Sequence, residues 1–447
     1  MDWLLFFILF LFFPILYSSN RTGFYIHSLL YPTIGFFLLN KVGYSLAYTS
    51  VNAELLAIII IVAIWGNIKK RGFTYLIFLL VFVAYFSFDS IHQGVPVFSR
   101  LNIYKKSFIM LLWGCLLIDD IRHKKVSAAT LRRFFIAFVI FELVLGPLQL
   151  LIEPFGDFFR NVQYVKAGEI SDVKDVLNAG YMYGTFRGSS AYAGFLSLSF
   201  AILAIHYIGK KMLTPRALIL LAAIELVILM TGIRAALLFT MLLTFFLLVK
   251  YKQGKAMVVA VPLVLIIFLI GGISAANVDS IGHSYESGGI MRSLSLFSSL
   301  SGDALTEQST FALSINMIPY ISQNPLLGVG YHFNQGYFMV FANRMGSLED
   351  FSSTSDAMLL FEIAEIGIIG LIIFLWPLWR FIKWGKVEIS VDKLMYIFFF
   401  CYLILSTVVD SGFMSDYNLL LFFFAIVFFI NGNYNTLAIS NNKVTVV

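Results

Sequence analysis

The sequence predicts an all-α membrane protein, a polytopic membrane helical bundle in which residues 1–447 form a single integral membrane domain. Two observations support this prediction. Of the 447 residues, 60% are hydrophobic and only 13% are charged, whereas soluble domains contain about half apolar and about a quarter charged residues. The apolar residues also form runs of roughly 15 to 24 residues, long enough to cross a hydrocarbon core of about 30 Å as helices.

The apolar runs define about 12 to 13 transmembrane helices. The clear ones cover residues 54–66, 73–88, 107–118, 134–152, 190–208, 216–231, 235–249, 256–275, 356–379, 394–409 and 417–431, and two more are expected near 3–17 and 24–40. Basic segments lie between them at 69–71, 122–133, 210–216, 250–255 and 380–393. By the positive-inside rule these segments face the cytoplasm. The side of the N-terminus stays open, because Arg21 and Lys41 provide little flanking charge.

This orientation leaves three segments on the outer side, residues 89–106, 153–189 and 276–355. The last is a large outer (periplasmic) loop that is polar, rich in Gly and Ser, and too long for a simple connection, so it is the first place to look for function. Four of its apolar residues repeat at helical spacing: Phe311, Ala312, Ile315 and Ile318. We therefore expect the loop to carry short amphipathic helices on the membrane surface.

Four arginines on the outer side are candidates to bind an anionic substrate. Arg234 lies in a very short turn, where its guanidinium could hold a phosphate through two hydrogen bonds; alternatively it only reaches the interface. Arg187 lies where an outer loop enters a helix, whose free N–H groups favour anions, and an interfacial anchor is the alternative. Arg292 and Arg344 are the strong cations of the large loop. We predict that Arg292 binds a diphosphate and that Arg344 binds the substrate. For each of them, the alternative is that it is only a surface charge.

The large loop and its end also offer candidates for a general base. We single out Glu286 and Asp356 as catalytic acids, and Tyr331 and His332 as further substrate contacts. Asp356 starts a strongly apolar helix, so its alternative role is that of an N-cap or first-turn acid. Most other acids of the loop are expected to be solvated.

Glu142 and Glu225 are acids that lie well inside predicted spans. An ionised group at mid-membrane costs at least about 2.5 kcal/mol, so we expect each to pair with an arginine. The six His are scattered, and no HExxH motif, carboxylate cluster or GxxxxGK[ST] loop occurs, so neither a metal nor a cofactor is predicted. The net charge of +6 arises mostly between the spans, which argues against a nucleic-acid partner.

Four segments, in this order, resemble the family of O-antigen polymerases and O-antigen ligases, bacterial membrane enzymes that handle lipid-linked polysaccharide repeats. They are GTFRGSSAYAGFL at 184–196, MTGIRAALL at 230–238, NPLLGVG at 324–330 and LFEIAEIGIIGL at 360–371. The resemblance implies a helical glycosyltransferase of the GT-C type that needs no metal and no nucleotide sugar. It also matches Arg187 and Arg234 to functional arginines of the family.

The resemblance implies one of two reactions. Ligases of this family carry a His-Asn-like pair where this chain has Ser355 and Asp356, and that His is regarded as a catalytic element. Its absence favours a polymerase, which joins repeat units linked to undecaprenyl diphosphate on the outer face of the bacterial inner membrane. The alternatives are a ligase that transfers the polymer to the lipid A core, and a transporter of polysaccharide or lipid-linked sugar. The implied partners are the lipid-linked glycan, membrane lipid and a protein that regulates chain length.

Overall fold

The computed structural model describes residues 15–30, 73–93, 97–152, 182, 184–186, 189–231, 233–251, 321–322, 324–328, 363, 366–373, 376, 397 and 416–429. Within these ranges the chain forms helices and turns and no strand. The helices are α1 (Arg21–Leu30), α2 (Phe73–Gln93), α3 (Val97–Arg122), α4 (Ala128–Leu151), α5 (Ser189–Gly209), α6 (Pro215–Thr231), α7 (Arg234–Lys250) and α8 (Asp416–Phe429). Residues 366–373 are also helical.

Six predicted spans coincide with α2 and with α4 to α8, and most of the segment 89–106, which was predicted to lie on the outer side, is helical. In the structure α2 continues to Gln93 and α3 already begins at Val97. Basic residues such as Lys105 interrupt the apolar run there, but Lys and Arg are good helix formers. Charge therefore ends a hydrophobic run without ending the helix. The predicted spans 54–66, 256–275 and 394–409 lie wholly or almost wholly outside the described residues.

Local side chains explain where several helices begin and end. Ser127 caps α4 by accepting a 3.2 Å hydrogen bond from a backbone N–H of the first turn. Thr214 caps α6 in the same way at 3.3 Å, and Pro215 follows at the first helical position, where its missing N–H costs nothing. Lys124 and Lys211 terminate α3 and α5 in the left-handed conformation, with φ of 58° and 56°, as is common just after a helix.

Helix α5 forms the centre of the described bundle. It packs against α6, α7 and α8, and α8 also contacts α3 and α4. All side chains of α5 from Tyr192 to Ile205 are buried. Its small residues, among them Ala193, Gly194 and Ala201, allow neighbouring helices to approach closely, as at helix contacts in membranes.

The outward faces of α4, α6 and α7 are apolar. Ile219 on α6 is 69% exposed and Leu242 on α7 is 59% exposed, while Ile140 and Val144 line the open face of α4. A helix at a water surface carries polar residues on its open face. The outward faces of these helices therefore have the composition expected of a surface in contact with lipid.

Two helices of the described part are long and apolar enough to cross a membrane, α4 and the Tyr192–Gly209 part of α5. The segments Leu76–Asp89 and Ala236–Lys250 are apolar but shorter. An all-helical chain with such segments fits a helical membrane protein, in which backbone groups are satisfied inside each helix.

Contacts of α1 place its start beside the loop between α3 and α4. Arg21 forms an ion pair with the buried Asp120, which also accepts a 2.9 Å hydrogen bond from the Tyr25 hydroxyl. The backbone N–H of Ser127 donates to the Thr22 hydroxyl at 3.2 Å. The start of α1 therefore lies at the same end of the bundle as the loop between α3 and α4.

Candidate functional site

Residues 184–186, at the end of the predicted outer segment, form a turn that enters the helix bundle. Gly184 exchanges two hydrogen bonds with the Gln149 amide of α4: Gln149 donates to the Gly184 carbonyl at 2.7 Å, and the Gly184 N–H donates to Gln149 Oε1 at 3.0 Å. Thr185 donates twice to Glu142 of α4, from its N–H at 3.1 Å and from its hydroxyl at 2.5 Å. All four residues are buried. Since Glu142 and Gln149 are two helical turns apart, the turn is fixed to one face of α4.

Two glycines make room for this arrangement. The Tyr192 hydroxyl of α5 donates to the Glu142 carbonyl at 2.6 Å. A Cβ on Gly146 would lie 2.3 Å from the Tyr192 hydroxyl oxygen, and one on Gly184 would lie 2.2 Å from Glu142 Oε2. Gly184 also has a φ of +55°, which residues with a side chain adopt only at a cost. The contact between α4, α5 and the turn therefore requires glycine at both positions.

Glu142 and Glu225 were predicted to pair with arginines, and among the described residues neither of them does. Glu142 is held by Thr185, and Glu225 of α6 accepts a 3.1 Å hydrogen bond from the Thr244 hydroxyl of α7. A threonine hydroxyl can satisfy a buried carboxyl without bringing a second charge that must also leave water. Among the described residues, threonine therefore takes the place that was predicted for arginine.

Helices α5, α6 and α7 form a unit in which α5 and α7 start at the same end. Only residues 210–214 connect α5 to α6, and only 232–233 connect α6 to α7. Such short links make successive helices antiparallel, so α5 and α7 run parallel. They also contact each other. Arg234 is the first residue of α7, and Arg187 lies two positions before α5.

Thr231 shapes the turn that precedes α7. Its hydroxyl donates to the Ile228 carbonyl at 2.6 Å and accepts from the Ile233 N–H at 3.4 Å. Ile233 is the N-cap residue and makes no side-chain cap hydrogen bond. The start of α7 thus carries the partial positive charge of a helix N-terminus without an N-cap side chain on it.

Residues 324–328, near the end of the predicted large loop, dock onto the helical segment 366–373. Ile368 and Ile369 donate backbone hydrogen bonds to carbonyls of the docked residues, at 3.0 and 3.1 Å. Gly367 has a φ of +66°, and a Cβ there would lie 2.3 Å from a carbonyl oxygen of the docked residues. Because α-helical φ values are negative, Gly367 departs from regular helix geometry near the start of this helical segment, at the point where the loop end meets it.

Helix α2 also contacts the junction between the loop end and the helical segment 366–373. The Tyr85 hydroxyl donates to the Ile366 carbonyl at 2.7 Å. A Cβ on Gly370 would lie 2.9 Å from the Tyr85 hydroxyl oxygen, so glycine is needed there for the ring to approach. The helical segment 366–373 thereby contacts both the loop end and α2, with Tyr85 and Ile366 buried at the junction and Leu326 exposed.

Most of the predicted site residues lie outside the described residues, and their roles stay predictions. They are Arg187, Glu286, Arg292, Tyr331, His332, Arg344 and Asp356. Arg234 is described in its backbone and not in its side chain. Sequence reasoning missed Gln149, Tyr192 and Tyr85, whose only signal is a polar group within an apolar run.

No group of three or more His, Cys, Asp or Glu side chains that could hold a metal ion occurs among the residues of known placement. The expectation of a metal-independent reaction also concerns the rest of the chain and stays a prediction.

A comparison with known protein families gives a match for the region that contains α6, α7 and the docked residues 324–328. Residues 216–375 match a family model described as O-Antigen ligase. The resemblance of the sequence to the O-antigen polymerase and ligase family is thereby confirmed. Searches of curated proteins and of solved structures returned no match.

Proposed function

We propose, from the O-antigen ligase domain at residues 216–375, that the chain is a glycosyltransferase that joins repeat units of a surface polysaccharide. Its substrates are glycans linked to undecaprenyl diphosphate. The whole chain is a polytopic bundle in the bacterial inner membrane, with its site on the periplasmic side. The observation that carries the proposal is the parallel pair α5 and α7, with Arg187 just before the one and Arg234 at the start of the other.

The substrate supplies the driving force for the reaction. The acceptor hydroxyl oxygen attacks C1 of the donor sugar, the bond from C1 to the diphosphate oxygen breaks, and its electron pair leaves with the diphosphate. In the proposed site Arg187 and Arg234 bind that developing charge, supported by Arg292. The N-terminal ends of α5 and α7 add two helix dipoles of the same favourable sign.

A carboxylate of Asp356 or Glu286 takes the proton from the attacking hydroxyl. The large loop covers the sugars, through Tyr331, His332 and Arg344, and excludes water that would hydrolyse the donor. Docking of residues 324–328 supports this role, because it anchors the chain three positions before Tyr331.

The polymerase is preferred to the ligase because Ser355 and Asp356 stand where ligases carry the His-Asn-like pair. Deletion phenotypes separate the candidates. A single repeat unit on the lipid core indicates lost polymerisation, and a normal core without surface polymer indicates lost ligation. Intracellular accumulation of lipid-linked repeat indicates lost export and favours a transporter.

Substitution of the two arginines tests the mechanism. Arg187→Ala and Arg234→Ala should each remove the ladder of polymer lengths, since loss of a group that stabilises developing charge costs about 100-fold in rate or more. Both variants should remain in the membrane at normal levels. Arg133→Ala is the matched control, an exposed arginine at the opposite, predicted cytoplasmic side. Normal ladders in either of the first two variants exclude that residue from the mechanism.

A further inference from the structure

We propose that Glu142, Gln149 and Tyr192 are positioning residues, which fix the turn at 184–186 and thereby set the place of Arg187 at the start of α5. This inference rests on the proposed function, because it needs Arg187 to bind the diphosphate. None of the three residues has to touch the substrate.

The turn is held more tightly than a connection between a loop and a helix requires. The backbone N–H and carbonyl of Gly184, and the N–H and hydroxyl of Thr185, all bond to two side chains of α4. A connecting turn at the membrane surface can use water for the same groups. Buried hydrogen bonds to fixed side chains instead define the backbone to a fraction of an ångström, as a site requires of its supporting residues.

The carboxyl of Glu142 is matched to the two donors of Thr185. Each of its oxygens accepts one of them, at 3.1 Å from the N–H and 2.5 Å from the hydroxyl. A leucine at this position is similar in size but offers no acceptor, so both donors of Thr185 would be left unpaired in a buried place. Glu142→Leu is therefore disruptive, whereas Glu142→Gln is mild, because its oxygen can accept from the Thr185 N–H while its NH2 group donates to the Thr185 hydroxyl oxygen. Thr185→Ser keeps both donors and Thr185→Val removes only the hydroxyl.

The chain contains a matched control pair for these variants. Glu225 on α6 accepts a hydrogen bond from the Thr244 hydroxyl on α7 at 3.1 Å. This pair has the same chemistry and lies within the same bundle, but it holds two helices together and no turn. Glu225→Leu and Thr244→Val therefore report the general cost of disturbing a carboxyl within a helix.

The experiment uses the full-length protein in lipid nanodiscs and undecaprenyl diphosphate as the probe. Three quantities are measured for each variant: the Kd of the probe, the thermal unfolding midpoint, and the hydrogen exchange of the Gly184 and Thr185 amides. We expect Glu142→Leu and Thr185→Val to raise Kd about tenfold, the equivalent of one buried hydrogen bond of about 1.4 kcal/mol. The two amides should also exchange faster. Thr185→Ser should retain the wild-type Kd.

The control variants separate positioning from stability. Glu225→Leu and Thr244→Val should lower the unfolding midpoint and leave Kd unchanged. A rise in Kd of the same size in these controls overturns the proposal, since it would follow from a general loosening of the bundle. Faster exchange of the two amides in Glu142→Leu with an unchanged Kd also overturns it.

Arg187→Ala, measured in parallel, distinguishes this failure from that of the proposed function. If Arg187→Ala raises Kd and Glu142→Leu does not, the diphosphate site stands and the positioning role is wrong. If Arg187→Ala leaves both Kd and the ladders unchanged, the proposed function of Arg187 fails, and the inference built on it fails as well.

Discussion

Replacing Gly184 with alanine adds one carbon atom at the most crowded point of the turn before α5. The new Cβ would lie 2.2 Å from Glu142 Oε2 and 2.7 Å from a ring carbon of Tyr192. Neither distance is tolerated by non-bonded atoms, so the carboxyl or the turn must move. The backbone must also hold alanine at a φ of +55°.

The expected loss of stability has two parts. A left-handed conformation costs a residue with a side chain about 1–2 kcal/mol. Displacement of the Glu142 carboxyl leaves a buried donor of Thr185 unsatisfied, which costs about 1–3 kcal/mol. We therefore expect Gly184→Ala to lower the free energy of unfolding by about 2–5 kcal/mol.

Titration with SDS in mixed micelles measures this free energy for the full-length protein. Gly23→Ala in α1 is the control, because its Cβ would meet only the end of the Asn20 side chain, at 3.0 Å. Alanine in a helix is favoured over glycine by about 0.5–1 kcal/mol. A loss for Gly184→Ala below about 1 kcal/mol would refute the reasoning, since it would be smaller than the conformational cost alone. The double variant with Glu142→Ala should lose less than the sum of the two single variants, because the clash with the carboxyl is gone.

Three further predictions concern other contacts of the bundle. Tyr85→Phe removes one buried hydrogen bond at the junction with the loop end and should cost about 1 kcal/mol in the same titration. Arg21→Met leaves the buried Asp120 carboxyl without its cation and should cost about 3 kcal/mol, most of which should return when Asp120→Asn is added. A cysteine at Ser19 and one at Ala129, both exposed, should react with a membrane-impermeant maleimide only after the cells are opened.

Each of these predictions has a control within the chain. Tyr207→Phe should change stability little, because the Tyr207 hydroxyl makes no hydrogen bond among the described residues; an equal loss in the two tyrosine variants contradicts the role of the Tyr85 bond. Failure of Asp120→Asn to rescue Arg21→Met would show that packing, and not charge, determines the loss. Labelling of Ser19→Cys in intact cells with Ala129→Cys protected would contradict the contacts of α1.

The sequence predicts the helices of the bundle well, because membrane spans leave a strong signal in apolar runs. The starts of α3 and α4 were placed too late for a common reason. Segments such as 128–133 contain basic residues that lower hydropathy, yet they are good helix formers and continue the helix toward the polar side. Hydropathy therefore locates the membrane-crossing part of each helix and not its ends.

The candidate site was predictable only in part. A carboxyl within a span, such as Glu142, is visible in the sequence because burial makes it costly. Its partner Thr185 is 43 positions away, and no local pattern relates the two. The need for glycine at 146, 184 and 367 likewise depends on which side chain or carbonyl approaches from another helix or from the loop end. These requirements for glycine arise from tertiary contacts, and the spacing of residues along one helix does not reveal them.

The junction at Gly367 has a consequence for the variability of the large loop. The chain leaves this junction at Gly328 and returns to it at Ile366, so the large loop begins at an anchored place, to which the helix that follows the loop also returns. Closing a loop whose ends are already together becomes only about 0.6 kcal/mol more costly for each doubling of its length. Insertions and deletions within 329–355, before the predicted span at 356–379, should thus leave the scaffold intact, which would let related chains remodel the part that we propose to face the sugars while keeping the same helices.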